Sequence, residues 1–133
     1  MSSSHTAAEV RAALETMSGS RSTDVFHDQF LSLDPAAVAL VSRDQLARAL
    51  PARQAMFAAI GATGTTLRHL DVHELDDRHV LATTTWDVDL VDEAAEPLTL
   101  ESSYLMRRMD GGWRVLVYLN HRDIAAVVAE RRP

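Results

Sequence analysis

Trp86, Tyr104 and Tyr118 recur through the second half of the chain among Thr84, Ser102 and Asn120, and all six carry even numbers. Side chains of extended strands alternate between faces, so these residues share one wall when their strands pair in even register. An apolar wall with a few hydroxyl and amide anchors is the make-up of a small-molecule cavity. The alternative is ordinary core, with polar tips satisfied at its rim. For Asn120 a further role competes, because an asparagine just ahead of a helix is a good N-cap. If the Tyr104 hydroxyl serves a ligand in a wet cavity, Tyr104→Phe should change stability by no more than about 1 kcal/mol.

Other groupings offer less chemistry. His69 and His73 have the i, i+4 spacing of a helical metal pair, but on a strand it separates their Cα atoms by ~13 Å, and no metal site is expected. Asp87, Asp89 and Glu101 can meet across adjacent strands, raising a pKa or holding a hard cation, with a solvated acidic face as the alternative. Gly61-Ala-Thr-Gly64 lacks the spacing and lysine of a phosphate loop and reads as a helix stop and connector. The absence of cysteine excludes disulfides, zinc-thiolate sites, iron-sulfur clusters and thiol nucleophiles, and suits a reducing, cytoplasmic setting. All thirteen basic residues are arginine, which removes Schiff-base catalysis and a lysine anchor for pyridoxal; no cofactor is expected. A net charge of -6 with scattered arginines lacks the footprint of a nucleic-acid binder and disfavours an anionic membrane surface. The tail Arg131-Arg132 is locally basic.

The elements that must position these residues follow from periodicity. The 133 residues fit one domain, with 1–5 a polar tail and no apolar run near the ~20 residues of a membrane span. Thr6 with Glu9 has the form of a capping box, followed by Val10, Ala13, Leu14 and Met17 at helical spacing. Gly19 to Thr23 reads as loop, and Asp24 to Gln29 as one helical turn carrying Phe26. Phe30 to Leu33 and Val38 to Val41 are short strands around Asp34-Pro35. Ser42 with Gln45 opens a second helix with Leu46, Met56, Phe57 and Ile60 on its apolar face, kinked or divided at Pro51 and stopped at Gly61. Leu67 to Leu75, Val80 to Leu90, Leu98 to Met109 and Trp113 to Leu119 are then strands of an antiparallel meander. A final helix runs from His121 to about Glu130 behind Asn120. The fold class is therefore α+β.

Placing Leu90 opposite Leu98, and Met109 opposite Trp113, puts Ala82, Thr84, Trp86, Val88, Leu98, Leu100, Ser102, Tyr104, Met106, Leu116, Tyr118 and Asn120 on one face. Val115, Val117, Leu119, Leu105 and Leu81 fall on the other, with the charged residues of these strands. Both faces are apolar near Val115 to Leu119, so helices should cover one and a partner subunit the other. A tight turn at Asp76-Asp77 would set Glu74 opposite His79 as a cross-strand ion pair.

The segment LTLESSYLMRRMDGGWRVLVYLNHRDI, Leu98 to Ile124, and the strand TTTWDVDL resemble the nuclear transport factor 2-like superfamily, which includes SnoaL-like polyketide cyclases. The order of elements resembles it from Thr6 to Ile124. The resemblance implies N-terminal helices packed on a strongly curved antiparallel sheet, a cone-like α+β barrel enclosing a cavity, a short C-terminal helix, and homodimers formed through the outer sheet face. Phe26 and Phe57 then join Thr84, Trp86, Ser102, Tyr104, Tyr118 and Asn120 as the candidate substrate-binding set for a small, largely apolar ligand. Enzymes of this fold move protons with a cavity carboxylate or histidine, which would cast Tyr104 and Tyr118 as donors and His27, Asp28, Asp87 or His121 as base. The fold also hosts non-catalytic modules, so ligand sequestration or protein interaction is the competing expectation to an isomerase, cyclase or dehydratase.

Overall fold

The computed structural model describes residues 3–19 and 22–131. Helix α1 (Ser3–Glu15) is followed by a 3-10 turn (Thr16–Ser18), strands β1 (Phe26–Leu33) and β2 (Val38–Ser42), and helix α2 (Arg43–Ala58). Strands β3 (Ala62–Glu74), β4 (His79–Leu90), β5 (Leu98–Met109) and β6 (Gly112–Asn120) come next, and helix α3 (Ile124–Arg131) closes the order. The fold is α+β, with one six-stranded sheet in the order β2-β1-β6-β5-β4-β3. Neighbouring strands are antiparallel except β1 and β6, which run parallel, so the sheet is mixed and stays open at β2 and β3. Among the described residues no helix is long and apolar enough to cross a membrane.

The three long hairpins form where alternation and turn residues agree. Val88 lies opposite Leu98, two residues from the expected Leu90 pairing, and Leu90 lies opposite Ala62 on the β3 side only. A shift of two keeps the parity, so Ala82, Thr84, Trp86, Val88, Leu98, Leu100, Ser102, Tyr104 and Met106 are all buried on the helix-covered face. Between β5 and β6 the register changes at Leu105/Met106. That irregularity corrects the expected facing of two residues: Val115 is buried and Leu116 only half-buried, while Tyr118 and Asn120 return inward.

Several other expectations are corrected. Phe26 starts β1 and is not on a helical turn; Phe26 and Phe30 are both buried, a spacing that suits a strand as well as a helix. Thr6 is no N-cap but a buried residue inside α1, whose first turn takes in Ser3 to His5 of the expected tail; residues 1 and 2 of that tail lie outside the described residues, as does Arg132. The Ser42 capping box is present: the Gln45 amide donates to Ser42 Oγ at 3.1 Å and the Ser42 amide to Gln45 Oε1 at 2.8 Å. Helix α2 continues undivided through Pro51, whose absent N–H would have faced the carbonyl of exposed Ala47. Gly61 stops the run at φ +83°, and β3 begins at once at Ala62, five residues ahead of the expected start.

Glu74 pairs with Val80, not His79, because the Asp76 carboxylate accepts from the amides of Arg78 and His79 and builds a longer turn. His79 binds Asp76 instead, Nδ1 to Oδ1 at 2.9 Å. Helix α3 starts at Ile124 with Asp123 at its N-terminus, where Asp123 Oδ1 accepts from the Ala126 amide. Asn120 is thus the last residue of β6 and caps nothing.

The core is densest where α1 meets the sheet. Val10, Leu14, Val80, Ala82, Met106 and Val115 have no accessible surface. Glu9 ties the helix to the β5–β6 hairpin, accepting from Trp113 Nε1 at 3.4 Å and pairing with Arg108 at 3.5 Å. The Arg108 guanidinium also sits over the Trp113 ring at 4.7 Å. The two Glu9 contacts fix α1 over one end of the sheet.

Candidate functional site

At the other end, α2 crosses the inner face without filling it. Beneath it lies a cavity of about 440 Å³, within the size range of small-molecule sites. Strands β4, β5 and β6 contribute its floor: Trp86, Leu100, Ser102, Tyr104, Tyr118 and Asn120. Leu46, Leu50, Arg53, Gln54 and Phe57 descend from α2, Phe26 closes one side, and Ala62 to Thr65 with Met17 to Gly19 form the rim.

The floor is an ordered aromatic and polar layer. Tyr104 and Tyr118 stack with ring centroids 5.3 Å apart and planes 7° from parallel, because their strands place them directly opposite. Phe26 meets Tyr118 edge-on at 5.8 Å. Trp86 Nε1 donates to the Tyr104 hydroxyl at 3.2 Å, and Ser102 Oγ donates to Asn120 Oδ1 at 3.0 Å. Burial, with Tyr118 as a second cause, pushes the Tyr104 phenol well above its ordinary range, so it stays protonated.

Of the eight residues singled out from sequence, Phe26, Phe57, Trp86, Ser102, Tyr104, Tyr118 and Asn120 therefore meet around one cavity. Thr84 stands behind the wall, fully buried, with its hydroxyl donating to the Ser102 carbonyl at 3.0 Å. The candidate bases lie elsewhere. Asp28 is exposed and paired with Arg43 at 3.0 Å, and Asp87 is paired with Arg68 at 3.2 Å. The His121 ring is exposed, with Nε2 2.8 Å from Ser103 Oγ, and His27 on β1 does not reach the cavity lining. Asp89 accepts from Thr66, and the described residues contain no Asp, Glu and His group able to hold a metal ion. His69 and His73 both lie on β3, where His69 pairs with Asp71.

Arg53 escaped the sequence reading. Its Nη2 donates to the Tyr118 hydroxyl at 3.3 Å, and its guanidinium lies 5.9 Å from the centre of the Phe57 ring. Tyr118, against the opposing effect of desolvation, holds the guanidinium above its already high ordinary range, so it is always charged. Behind it a shallower hollow of about 670 Å³ opens between α2, β1, β2 and α3, and Arg53, Tyr118, Asn120 and Leu46 border both spaces. The signal was available: Leu46, Leu50, Arg53 and Phe57 follow i, i+4, i+7, i+11, which places a cation on the apolar stripe of an amphipathic helix.

Comparison with known proteins agrees with the architecture. A family model described as NTF2-like protein (DUF6841) matches residues 6–123. Aln2 from a Streptomyces species superposes with a TM-score of 0.70 at 18% identity, over 97% of this chain and 99% of that one. An NTF-2 like protein of unknown function from Shewanella oneidensis gives 0.66 at 11% identity, over 91% and 99%. A ketosteroid isomerase-like protein from Erwinia carotovora atroseptica gives 0.62 at 14% identity, over 86% and 90%. At these identities the likeness is one of fold. No curated protein matches the chain.

Proposed function

The chain belongs to the NTF2-like family (DUF6841), and from that footing we propose that it binds a small, largely apolar molecule in the cavity beneath α2. The observation that carries this reading is a preserved hollow lined by four aromatic rings, Phe26, Phe57, Tyr104 and Tyr118, with Trp86 beside them. Packed interiors seldom keep such a volume empty without use. Binding is favoured over proton transfer because the described lining carries no carboxylate and no imidazole to act as base. An intracellular setting accompanies the proposal, in keeping with a chain free of cysteine.

The test is titration with N-phenyl-1-naphthylamine, an uncharged dye that fluoresces in apolar surroundings. One dye should bind per chain, and Leu50→Trp, which fills the space under α2, should weaken binding at least ~10-fold while thermal unfolding is preserved. Absence of saturable binding, or equal binding by the folded Leu50→Trp protein, would refute the proposal.

Pairing of two copies through the outer sheet face belongs to the same reading. Leu81, Leu105, Val117 and Leu31 stand directly opposite one another across β4, β5, β6 and β1, and Leu31 and Leu81 are each 40% exposed. An apolar row of this kind, left in water, invites a self-complementary partner. Sedimentation at micromolar concentration should give a dimer that Val117→Asp converts to monomer; a wild-type monomer removes the idea.

A further inference from the structure

Four of the described arginines are answered by carboxylates, Arg11 by Glu15 at 3.5 Å, Arg43 by Asp28 at 3.0 Å, Arg68 by Asp87 at 3.2 Å and Arg108 by Glu9 at 3.5 Å, while Arg107 bonds to His79 and Arg114, Arg122 and Arg131 donate to backbone carbonyls. Arg53 is half-buried, yet its partners are a neutral phenol and an aromatic ring. A guanidinium drawn out of water without a counter-charge is unfavourable unless something else supplies the charge. In a chain of net charge -6, the one charged side chain in the described lining of the cavity is therefore positive.

The hydrogen-bonding capacity of the site points the same way. Arg53 uses one donor on Tyr118, leaving the rest of a planar fork suited to two oxygens of one acid group. Gln54 and the Ser102–Asn120 pair add neutral polar contacts on the same lining, while the remaining walls are aromatic and aliphatic. A cation fixed at one point of an apolar chamber selects a molecule with one anionic group on an apolar body.

We propose that the ligand of this cavity is a ring-bearing or otherwise apolar monocarboxylate whose acid group is received by Arg53. The proposal rests on the cavity being a binding site and adds the chemical class of what it holds. Tyr118 positions the guanidinium, and the stacked pair Tyr104–Tyr118 forms the flat surface against which a ring lies.

The probes are 2-naphthoate and its uncharged counterpart 2-naphthamide, titrated calorimetrically at pH 7 and by displacement of N-phenyl-1-naphthylamine. Naphthoate should bind roughly 10-fold or more tightly than naphthamide, the order expected of a charge-assisted contact. Arg53→Gln should bring naphthoate down to the affinity of naphthamide and leave naphthamide within about 2-fold, whereas Arg53→Lys should retain part of the preference. Equal affinity of the two probes in the wild-type protein overturns the proposal, as does an Arg53→Gln or Arg53→Lys protein that loses both probes alike. If the dye binds and neither naphthalene probe displaces it, the carboxylate assignment falls and the cavity stands. If the dye itself does not bind, both fall.

Discussion

Helices α1 and α2 lie on the same face of the same sheet and are used in opposite ways. The shorter one, α1, sinks Val10 and Leu14 completely into the core and is pinned through Glu9 to Trp113 and Arg108. The longer one, α2, has sixteen residues and not one of them is buried. Its apolar side chains reach toward the sheet but stop at a hollow, and its ends are held by a local capping box and by Gly61. One end of the sheet is closed as a structural core and the other is left open as a chamber. Stability concentrated under α1 allows α2 to be set by local capping, and regions with few buried contacts are those that open most readily.

The largest effect should come from breaking the closed end. Leu14→Ala removes a side chain with no accessible surface and should destabilise by about 2–5 kcal/mol, whereas Leu46→Ala on α2, already bordering empty space, should lose less than about 1 kcal/mol. Denaturant unfolding of the two variants measures the contrast, and equal losses would erase it. Next comes Tyr104→Phe. The Tyr104 hydroxyl is buried and accepts the Trp86 indole N–H, so its removal strands a buried donor and should cost about 1–3 kcal/mol, above the loss anticipated for a hydroxyl reserved for a ligand. A neutral result would mean that water or ligand, not Tyr104, satisfies Trp86.

The smallest effect belongs to the exposed turn between β3 and β4. The amide of Arg78, followed by the His79 side chain, holds the Asp76 carboxyl below its ordinary 3.8. A carboxyl with a lowered folded pKa stabilises the fold above its ordinary value and loses that contribution as pH falls through the folded one. Asp76→Asn should therefore flatten the dependence of stability on pH below about 4 and leave the difference between α1 and α2 as it was. Unfolding curves collected across that range check it, and an unchanged dependence would show that the turn is not titrating.

What could be seen in the sequence divides along physical lines. Strands β4, β5 and β6 were legible because alternation and the turn residues at Asp110-Gly111-Gly112 agree, and parity survived a two-residue error at the Val88–Leu98 pairing. The Ser42 capping box was legible because both its partners are local. The inward turn of Val115 was not, since an irregularity in register adds a residue without leaving a compositional mark. Phe26 and Phe30 satisfy strand and helix spacing alike, so only pairing with β6 and β2 decides between them. Arg53 was passed over because a charged residue on an apolar helical face normally extends its stem along the surface and its head to water; here the head stays against Tyr118.

Hydrogen exchange in the presence of saturating N-phenyl-1-naphthylamine tests the division most directly. Amides of α2, Arg43–Ala58, should exchange more slowly when the dye is bound, and those of α1, Ser3–Glu15, should keep their rates. Bound dye with unchanged exchange in α2 would place the ligand somewhere other than beneath that helix and contradict the account.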